Sequence, residues 1–124
     1  MGVKLKSIFF LLVAFLMADC AQGGEIILES KDVQFFKVVE IASWPSPCLK
    51  ISGLAFHSSL AVSEMTSKLE SNSLTILIHL VPVKNGLSGN FSYEIAVPIE
   101  VNVVKFGDEA IIIWKRGQGP ISPK

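Results

Sequence analysis

Cysteine and histidine are scarce in this sequence of 124 residues, which has two of each. The cysteines, Cys20 and Cys48, do not form the Cys-x-x-Cys motif that thiol–disulfide enzymes use. So few cysteines and histidines also argue against a structural zinc site. We therefore expect neither a bound metal nor a cofactor.

An excess of positive charge is missing as well. The sequence has 11 basic and 11 acidic residues, and its formal net charge is zero. Proteins that bind nucleic acid normally carry an excess of Lys and Arg over their acidic residues, so nucleic acid is not an expected partner. Because 50% of the residues are hydrophobic and only 18% are charged, the composition excludes a disordered chain and predicts one folded domain.

The motifs of familiar catalytic sites are also missing. The sequence contains neither G-x-S-x-G nor H-E-x-x-H, and we therefore expect a protein that is not an enzyme. The alternative is a small hydrolase that uses His57 or scattered acids. His57 is poorly placed to activate Ser58, because neighbouring residues on a strand point to opposite faces. The candidate acids are Glu94, Glu100, Asp108 and Glu109.

The first 23 residues have the pattern of an export signal. Lys4 and Lys6 precede an uninterrupted apolar run at residues 8–18, and small residues follow the run. A run of 11 residues is too short to cross a bilayer as a helix, but it suits a secretory signal peptide. We predict a signal helix at residues 1–23, outside the folded domain, with cleavage before Gly24. The mature protein is then periplasmic or secreted and has no transmembrane span.

The fate of Cys20 depends on where the signal is cut. Residues 16–20 resemble a bacterial lipobox, in which the cysteine becomes an acylated first residue, although Asp19 departs from that pattern. Lipidation of Cys20 would anchor the protein to a membrane. If an earlier cut leaves Cys20 in the mature chain, a disulfide between Cys20 and Cys48 is an alternative in an oxidising compartment.

Residues 24–116 are predicted to form the folded domain, and their patterns favour strands. Residues 74–81 alternate between an entirely apolar face and a half-apolar face, which indicates a central strand covered on both sides. Residues 91–97 alternate like a half-buried strand, and the Gly-rich segment between these two strands predicts a loose hairpin.

A second hairpin is predicted near the end of the domain. Its strands are residues 101–106 and 109–116, and Gly107-Asp108 forms a two-residue loop between them. Residues 117–124 contain two glycines and two prolines, so a flexible C-terminal tail is predicted.

The first half of the domain is harder to interpret. Residues 25–29 and 49–56 resemble strands, and Gly53 indicates a bulge or a close approach of two backbones. Residues 33–41 fit either a helix or a strand, but their β-branched and aromatic content favours a strand. The conformation of residues 59–69 stays open.

Together these segments predict an all-β fold. Six to eight short strands within about 100 residues suggest a small antiparallel β-sandwich of immunoglobulin-like architecture, with a small open β-barrel as the alternative. The Cys…Trp…Cys signature of true immunoglobulin domains is missing, so the similarity is architectural. The predicted core residues are Ile76, Ile78, Ile95, Val97, Ile111 and Ile113.

Trp44 is the candidate residue for contact with a partner. Pro45 and Pro47 surround it in a turn-rich segment, and an exposed tryptophan on a rigid loop is a common contact residue. The alternative is that Trp44 covers one end of the core.

The resulting functional hypothesis is an exported, non-enzymatic binding protein of the cell envelope. Such a protein would bind another protein through its surface, for example as an inhibitor or an immunity-type protein. Besides the hydrolase, the alternative is a structural subunit that pairs with its neighbours through edge strands.

Overall fold

The computed structural model describes residues 26–56 and 59–122. The predicted signal helix at residues 1–23, together with Cys20, lies outside the described residues, as do His57 and Ser58. The described chain contains nine β-strands and one short 3-10 turn at Ser30–Asp32. The strands are β1 (Ile26–Ile27), β2 (Val33–Ile41), β3 (Cys48–Ala55), β4 (Leu60–Glu70), β5 (Ser73–Pro82), β6 (Asn90–Ala96), β7 (Val103–Phe106), β8 (Ile111–Lys115) and β9 (Gly119–Pro120).

These strands form two sheets, which confirms the all-β prediction. The smaller sheet has the order β2-β3-β6 and is antiparallel. In the larger sheet, β4 pairs with one edge of β5 along its length. The other edge of β5 pairs with β7 in its first half and with β1 in its second half. Strands β8 and β9 then continue the sheet beyond β7. The two sheets do not close into a barrel, so the barrel alternative does not describe this fold.

The larger sheet is mixed, and in this respect the prediction of an antiparallel fold was wrong. Strand β7 pairs with β5 in parallel, from Ser73 opposite Val103 to Ile76 opposite Phe106. The chain can reach this arrangement because β6, which lies in the smaller sheet, and the segments before and after it provide the long crossover that a parallel pair requires.

The predicted hairpin between residues 74–81 and 91–97 was also wrong. Strand β5 lies in the larger sheet and β6 in the smaller one. A tight two-residue turn at Ser71-Asn72 pairs β5 with β4 instead, and β7 and β1 take the other side of β5. The seven residues 83–89 are long enough to cross between sheets that lie about 10 Å apart, so they change sheets rather than close a hairpin.

The hairpin of β7 and β8 is confirmed, but its loop has four residues instead of two. Residues 107–110 form the turn, with positive φ angles at Gly107 (77°) and Ala110 (54°). The Glu29 carboxylate accepts hydrogen bonds from the backbone N–H groups of Asp108 (2.9 Å) and Glu109 (3.1 Å). These two hydrogen bonds satisfy backbone donors of the four-residue turn and so stabilise it.

The segment predicted as a flexible tail contributes to the larger sheet. Strand β9 pairs with β8, with Pro120 opposite Trp114, and Ile121 donates a backbone hydrogen bond of 2.8 Å to the carbonyl of Ile113. Gly117 in the turn and Gly119 at the start of β9 both have positive φ angles, which glycine adopts without strain.

The two uncertain segments are both strands. Residues 33–41 form β2, as the β-branched content predicted, and residues 60–70 form β4. Gly53 lies opposite a bulge in β2 between Gln34 and Lys37, and a Cβ atom at Gly53 would collide with Val33. The predicted bulge is therefore present, in the strand opposite Gly53, whereas the closest contact at this glycine is with the side chain of Val33 and not with a backbone.

One hydrophobic core lies between the two sheets. Leu49 and Ile51 of the smaller sheet pack in it with the buried residues of the larger sheet, and Phe36 meets Phe106 edge to face at 4.8 Å. The alternation of β5 was predicted correctly, because one of its faces is buried and the other is half-buried. Of the predicted core residues, four are buried (Ile76, Ile78, Val97 and Ile113) and two are only half-buried (Ile95 and Ile111).

Candidate functional site

The loop between β2 and β3 carries the predicted contact residues. Trp44 is 92% exposed, Pro45 is also exposed, and Pro47 is half-buried. Trp44 therefore does not cover the end of the core, which was the alternative interpretation. The backbone N–H of Val97 donates a 3.0 Å hydrogen bond to the carbonyl of Pro47, so this loop lies against the segment that leaves β6.

An open groove of about 320 Å³ lies between this loop and that segment. Trp44 and Pro45 line one side, while Pro98 and Ile99 line the other, and Ile99 is 63% exposed. Most of the lining side chains are apolar and none carries a charge. The groove can therefore accept apolar groups, but it offers no ionised side chain for acid–base chemistry.

The apolar surface continues onto the outer face of the smaller sheet. The register places Ile41 opposite Cys48, and Cys48 opposite Ala96, so these three form a row across the sheet beside the groove. Val39 begins the next row, which then becomes charged at Lys50 and Glu94. We call the continuous surface the Trp44 patch; its residues are Val39, Ile41, Trp44, Cys48, Ala96 and Ile99.

Arg116 holds the two loops of the Trp44 patch in position. Its Nε donates to the carbonyl of Val101 (3.0 Å), and one Nη donates both to the carbonyl of Pro98 (3.1 Å) and to Oγ of Ser46 (3.2 Å). The guanidinium carbon also lies 5.3 Å from the centre of the Trp114 ring, a cation–π distance. One side chain, from the turn between β8 and β9, thus joins both walls of the groove.

A second contact fixes β2 beneath the loop. The indole N–H of Trp114, which is 1% exposed, donates a 2.5 Å hydrogen bond to Oε1 of Glu40. Hydrogen bonds to charged acceptors are among the strong ones in proteins. The bond connects β8 of the larger sheet to β2 of the smaller sheet, just before the loop that presents Trp44 begins.

Sequence reasoning missed both Glu40 and Arg116. No motif identifies them, since the bond of Glu40 to Trp114 and the bond of Arg116 to Ser46 join residues 74 and 70 positions apart along the chain. Trp114, the partner of Glu40, was a visible signal, because the indole N–H of a tryptophan in the core needs a hydrogen-bond acceptor. The identity of that acceptor depends on how the two sheets pack.

The other candidate residues are dispersed over the described chain. Glu94 lies on the outer face of the smaller sheet, Glu100 lies in the turn after β6, and Asp108 and Glu109 lie in the turn between β7 and β8. Within residues 26–56 and 59–122, no group of three or more His, Cys, Asp and Glu side chains is placed to hold a metal ion. His57 and Cys20 lie outside these ranges, and Cys48 is a half-buried free thiol.

Two further polar side chains, His79 on β5 and Tyr93 on β6, interact with residues of β4. Nε2 of His79 is 2.7 Å from Oγ1 of Thr66, on the outer face of the larger sheet. Burial raises the pKa of Tyr93, on β6, above its ordinary value, and the negative charge of Glu64 raises it further. The second effect reflects how closely β6 approaches β4.

The described part of the chain contains no helix with the length and hydrophobicity needed to span a membrane. Comparison with models of protein families, with curated proteins and with solved structures yields no match.

Proposed function

We propose that this chain is an exported, non-enzymatic binding protein that holds a protein partner at the Trp44 patch. The observation that carries the proposal is the exposure of Trp44, whose side chain is 92% exposed. It lines one side of the groove, and Ile99 lines the other. A contiguous exposed apolar surface is costly in water and is typical of interaction sites. Tryptophan is also among the residues that contribute most to binding energy when a partner covers them.

The shape of the patch favours a protein over a small molecule. Its groove, at about 320 Å³, is at the small end of the range for ligand sites, and no charged side chain lines it to orient a ligand. The row of Ile41, Cys48 and Ala96 is a sheet surface that only a broad partner could cover. A protein would cover the row and insert a side chain into the groove.

The hydrogen bonds that hold the loops support the same proposal. Arg116 ties the walls of the groove together, and Glu40 fixes the strand before Trp44. A contact surface that is already ordered loses little conformational entropy when a partner binds, so more of the contact energy contributes to affinity.

The compartment and the biological role form part of the proposal. Export to the periplasm or beyond the cell rests on the signal pattern of residues 1–23, and an inhibitor or immunity-type role rests on compartment and size. We further propose that the two sheets constitute a sandwich of immunoglobulin-like architecture, supported by their shared core. The parallel pairing of β5 with β7 would make it a variant of that architecture.

Affinity capture with two matched variants tests the function. The exported protein, Trp44→Ala and Phe56→Ala are each immobilised and exposed to an envelope extract. Phe56 is the control because it is a large side chain, 66% exposed, that does not line the groove. We expect a protein that the wild type and Phe56→Ala retain and that Trp44→Ala loses. Equal retention of every captured protein by all three would refute the proposal.

A direct measurement then follows with the purified partner. Trp44 is exposed and Trp114 is buried, so covering the patch should shift the tryptophan emission to shorter wavelength. The shift should saturate with added partner in the wild type. It should be absent in Trp44→Phe, whose remaining tryptophan is already buried. A shift of equal size in Trp44→Phe would place the binding site elsewhere.

A further inference from the structure

Strand β4 presents a long edge of the larger sheet. It pairs with β5 on one side, and no strand among the described residues pairs with its other side. The part of this edge that is open to another strand is limited at both of its ends. Near its start, the N–H of Val62 donates a 2.9 Å hydrogen bond to the carbonyl of Ser88, so the loop before β6 covers that point. At its other end, the turn at Ser71-Asn72 begins.

The outward backbone groups of this edge follow from the register. Glu70 and Ser73 close a two-residue turn, so they form a hydrogen-bonded pair, and alternate residues of β4 bond to β5. The residues between them direct their N–H and C=O groups outward; these are Met65, Ser67 and Leu69. An edge with free backbone groups is a template for another strand.

The side chains of β4 do little to block such pairing. Its charged side chains, Glu64, Lys68 and Glu70, pair with the half-buried residues of β5 and so lie on the outer face of the sheet. Its inner-face positions carry no charge, and Leu69 is 51% exposed there. Inward-pointing charges, prolines and β-bulges are the usual protection of an edge. Residues 64–70 have none of these, and the bulge between Val62 and Glu64 lies before this stretch begins.

We propose that two copies of this chain pair antiparallel through β4, with the two-fold axis at Thr66. In this register, Met65 hydrogen-bonds across the interface to Ser67 of the second copy, and Ser67 to Met65 of the second copy. Residues 64–68 of each copy pair with one another, so the register uses the regular part of the edge between the bulge at Ser63 and the turn. The larger sheets of the two copies become one continuous sheet.

Charge complementarity selects this register. With the axis at Thr66, each Glu64 lies directly opposite Lys68 of the second copy, on the outer face of the sheet. With the axis at Ser67, Glu64 would instead oppose Glu70, and like charges opposite one another destabilise a strand pair. With the axis at Met65, Lys68 would oppose Val62, whose N–H already bonds to Ser88.

Two further contacts fit the same arrangement. Lys68 retains its own partner, Glu70, at 3.8 Å, and gains Glu64 of the second copy. On the inner face, Leu69 lies diagonally across from Met65 of the second copy, which covers part of its exposed surface. The Trp44 patch lies on the smaller sheet and its adjoining loops, and so remains accessible in the dimer.

Sedimentation equilibrium with charge-reversal variants tests the proposal. Protein produced from the full chain is examined over a range of concentrations, and the wild type should shift reversibly from monomer to dimer. Lys68→Glu or Glu64→Lys alone places like charges opposite one another, and each should raise the dissociation constant about tenfold or more. The double variant Glu64→Lys/Lys68→Glu restores both ion pairs and should dimerise like the wild type.

Mixing the two single variants provides an independent check. A Glu64→Lys chain and a Lys68→Glu chain have complementary edges, so the mixture should form heterodimers at concentrations where each variant alone dimerises only weakly. Lys84→Glu is the control for net charge, because Lys84 is an exposed loop residue outside β4. It should dimerise like the wild type, and urea melts should show that all variants are folded.

Three outcomes would overturn the proposal. One is a wild-type protein that stays monomeric at all concentrations. Another is a dimer whose dissociation constant the charge reversals do not change, which would place the interface elsewhere. The third is a dimer that Trp44→Ala abolishes and Lys68→Glu does not, which would make the Trp44 patch the self-association surface.

Discussion

Ile78 is the residue whose truncation tests the core most directly. It lies near the middle of β5, is 0% exposed, and packs among residues of both sheets. Ile78→Ala removes three carbon atoms from a site that neighbouring strands hold on both sides. Since such a site relaxes little around the cavity, we expect a loss of about 3–4 kcal/mol, in the upper part of the range for this substitution.

The size of this loss makes it easy to measure. A domain of this length is stable by roughly 5–15 kcal/mol, so the variant would lose a large share of its free energy of unfolding. With an m-value of about 1.5 kcal/mol per molar urea, the midpoint should fall by about 2–3 M. The melting temperature should fall by about 15–25 °C.

Glu94→Ala is the matched control, since Glu94 lies opposite Lys50 on the exposed outer face of the smaller sheet. Removing an exposed charge should change the free energy of unfolding by about 0.5 kcal/mol or less. Urea melts of both variants, compared at equal m-values, provide the measurement. Equal midpoints, or a larger loss for Glu94→Ala, would refute the assignment of inner and outer faces.

Three other predictions concern the pKa of Tyr93, the exposure of the two tryptophans and the cleavage of the export signal. Tyr93 is the single tyrosine of the sequence, so tyrosinate absorbance should report its raised pKa directly, and Glu64→Gln should lower that pKa toward its ordinary value. Because the unfolded chain ionises first, stability should fall as the pH rises above about 10. Acrylamide should quench the wild-type emission strongly and that of Trp44→Phe weakly, since the remaining Trp114 is 1% exposed; strong quenching of the variant would contradict the burial of Trp114. The intact mass of the exported protein should show the loss of at least 18 residues, whereas retention of residues 1–18 would contradict the export signal.

The sequence by itself determined the strands with the most regular patterns. In β5, alternate residues are buried and the others are half-buried, as the alternation along residues 74–81 predicted. This periodicity is local, because side chains of a strand alternate between faces wherever that strand lies. The turn at Gly107 was predictable for a similar reason, since its φ of 77° suits glycine.

The same patterns could not identify which strands are neighbours. Side-chain alternation indicates which face of β5 is buried, but the backbone edges of β5 can pair equally well with β6, which the sequence suggested, or with β4, β1 and β7, which pair with it in the structure. Which strands pair with β5 depends on the lengths of the turns and on how much apolar surface the two sheets bury together. For the same reason, the length of the turn between β7 and β8 depends on Glu29, which lies about 80 residues away.

The candidate site shows the same division. The sequence pointed to Trp44 through its prolines, but its exposure is a property of the folded loop. Glu40 and Arg116 position that loop by hydrogen bonds between residues 74 and 70 positions apart. Contacts at such separations form only when the two sheets pack together, so only the tertiary structure could decide which polar side chains support the patch.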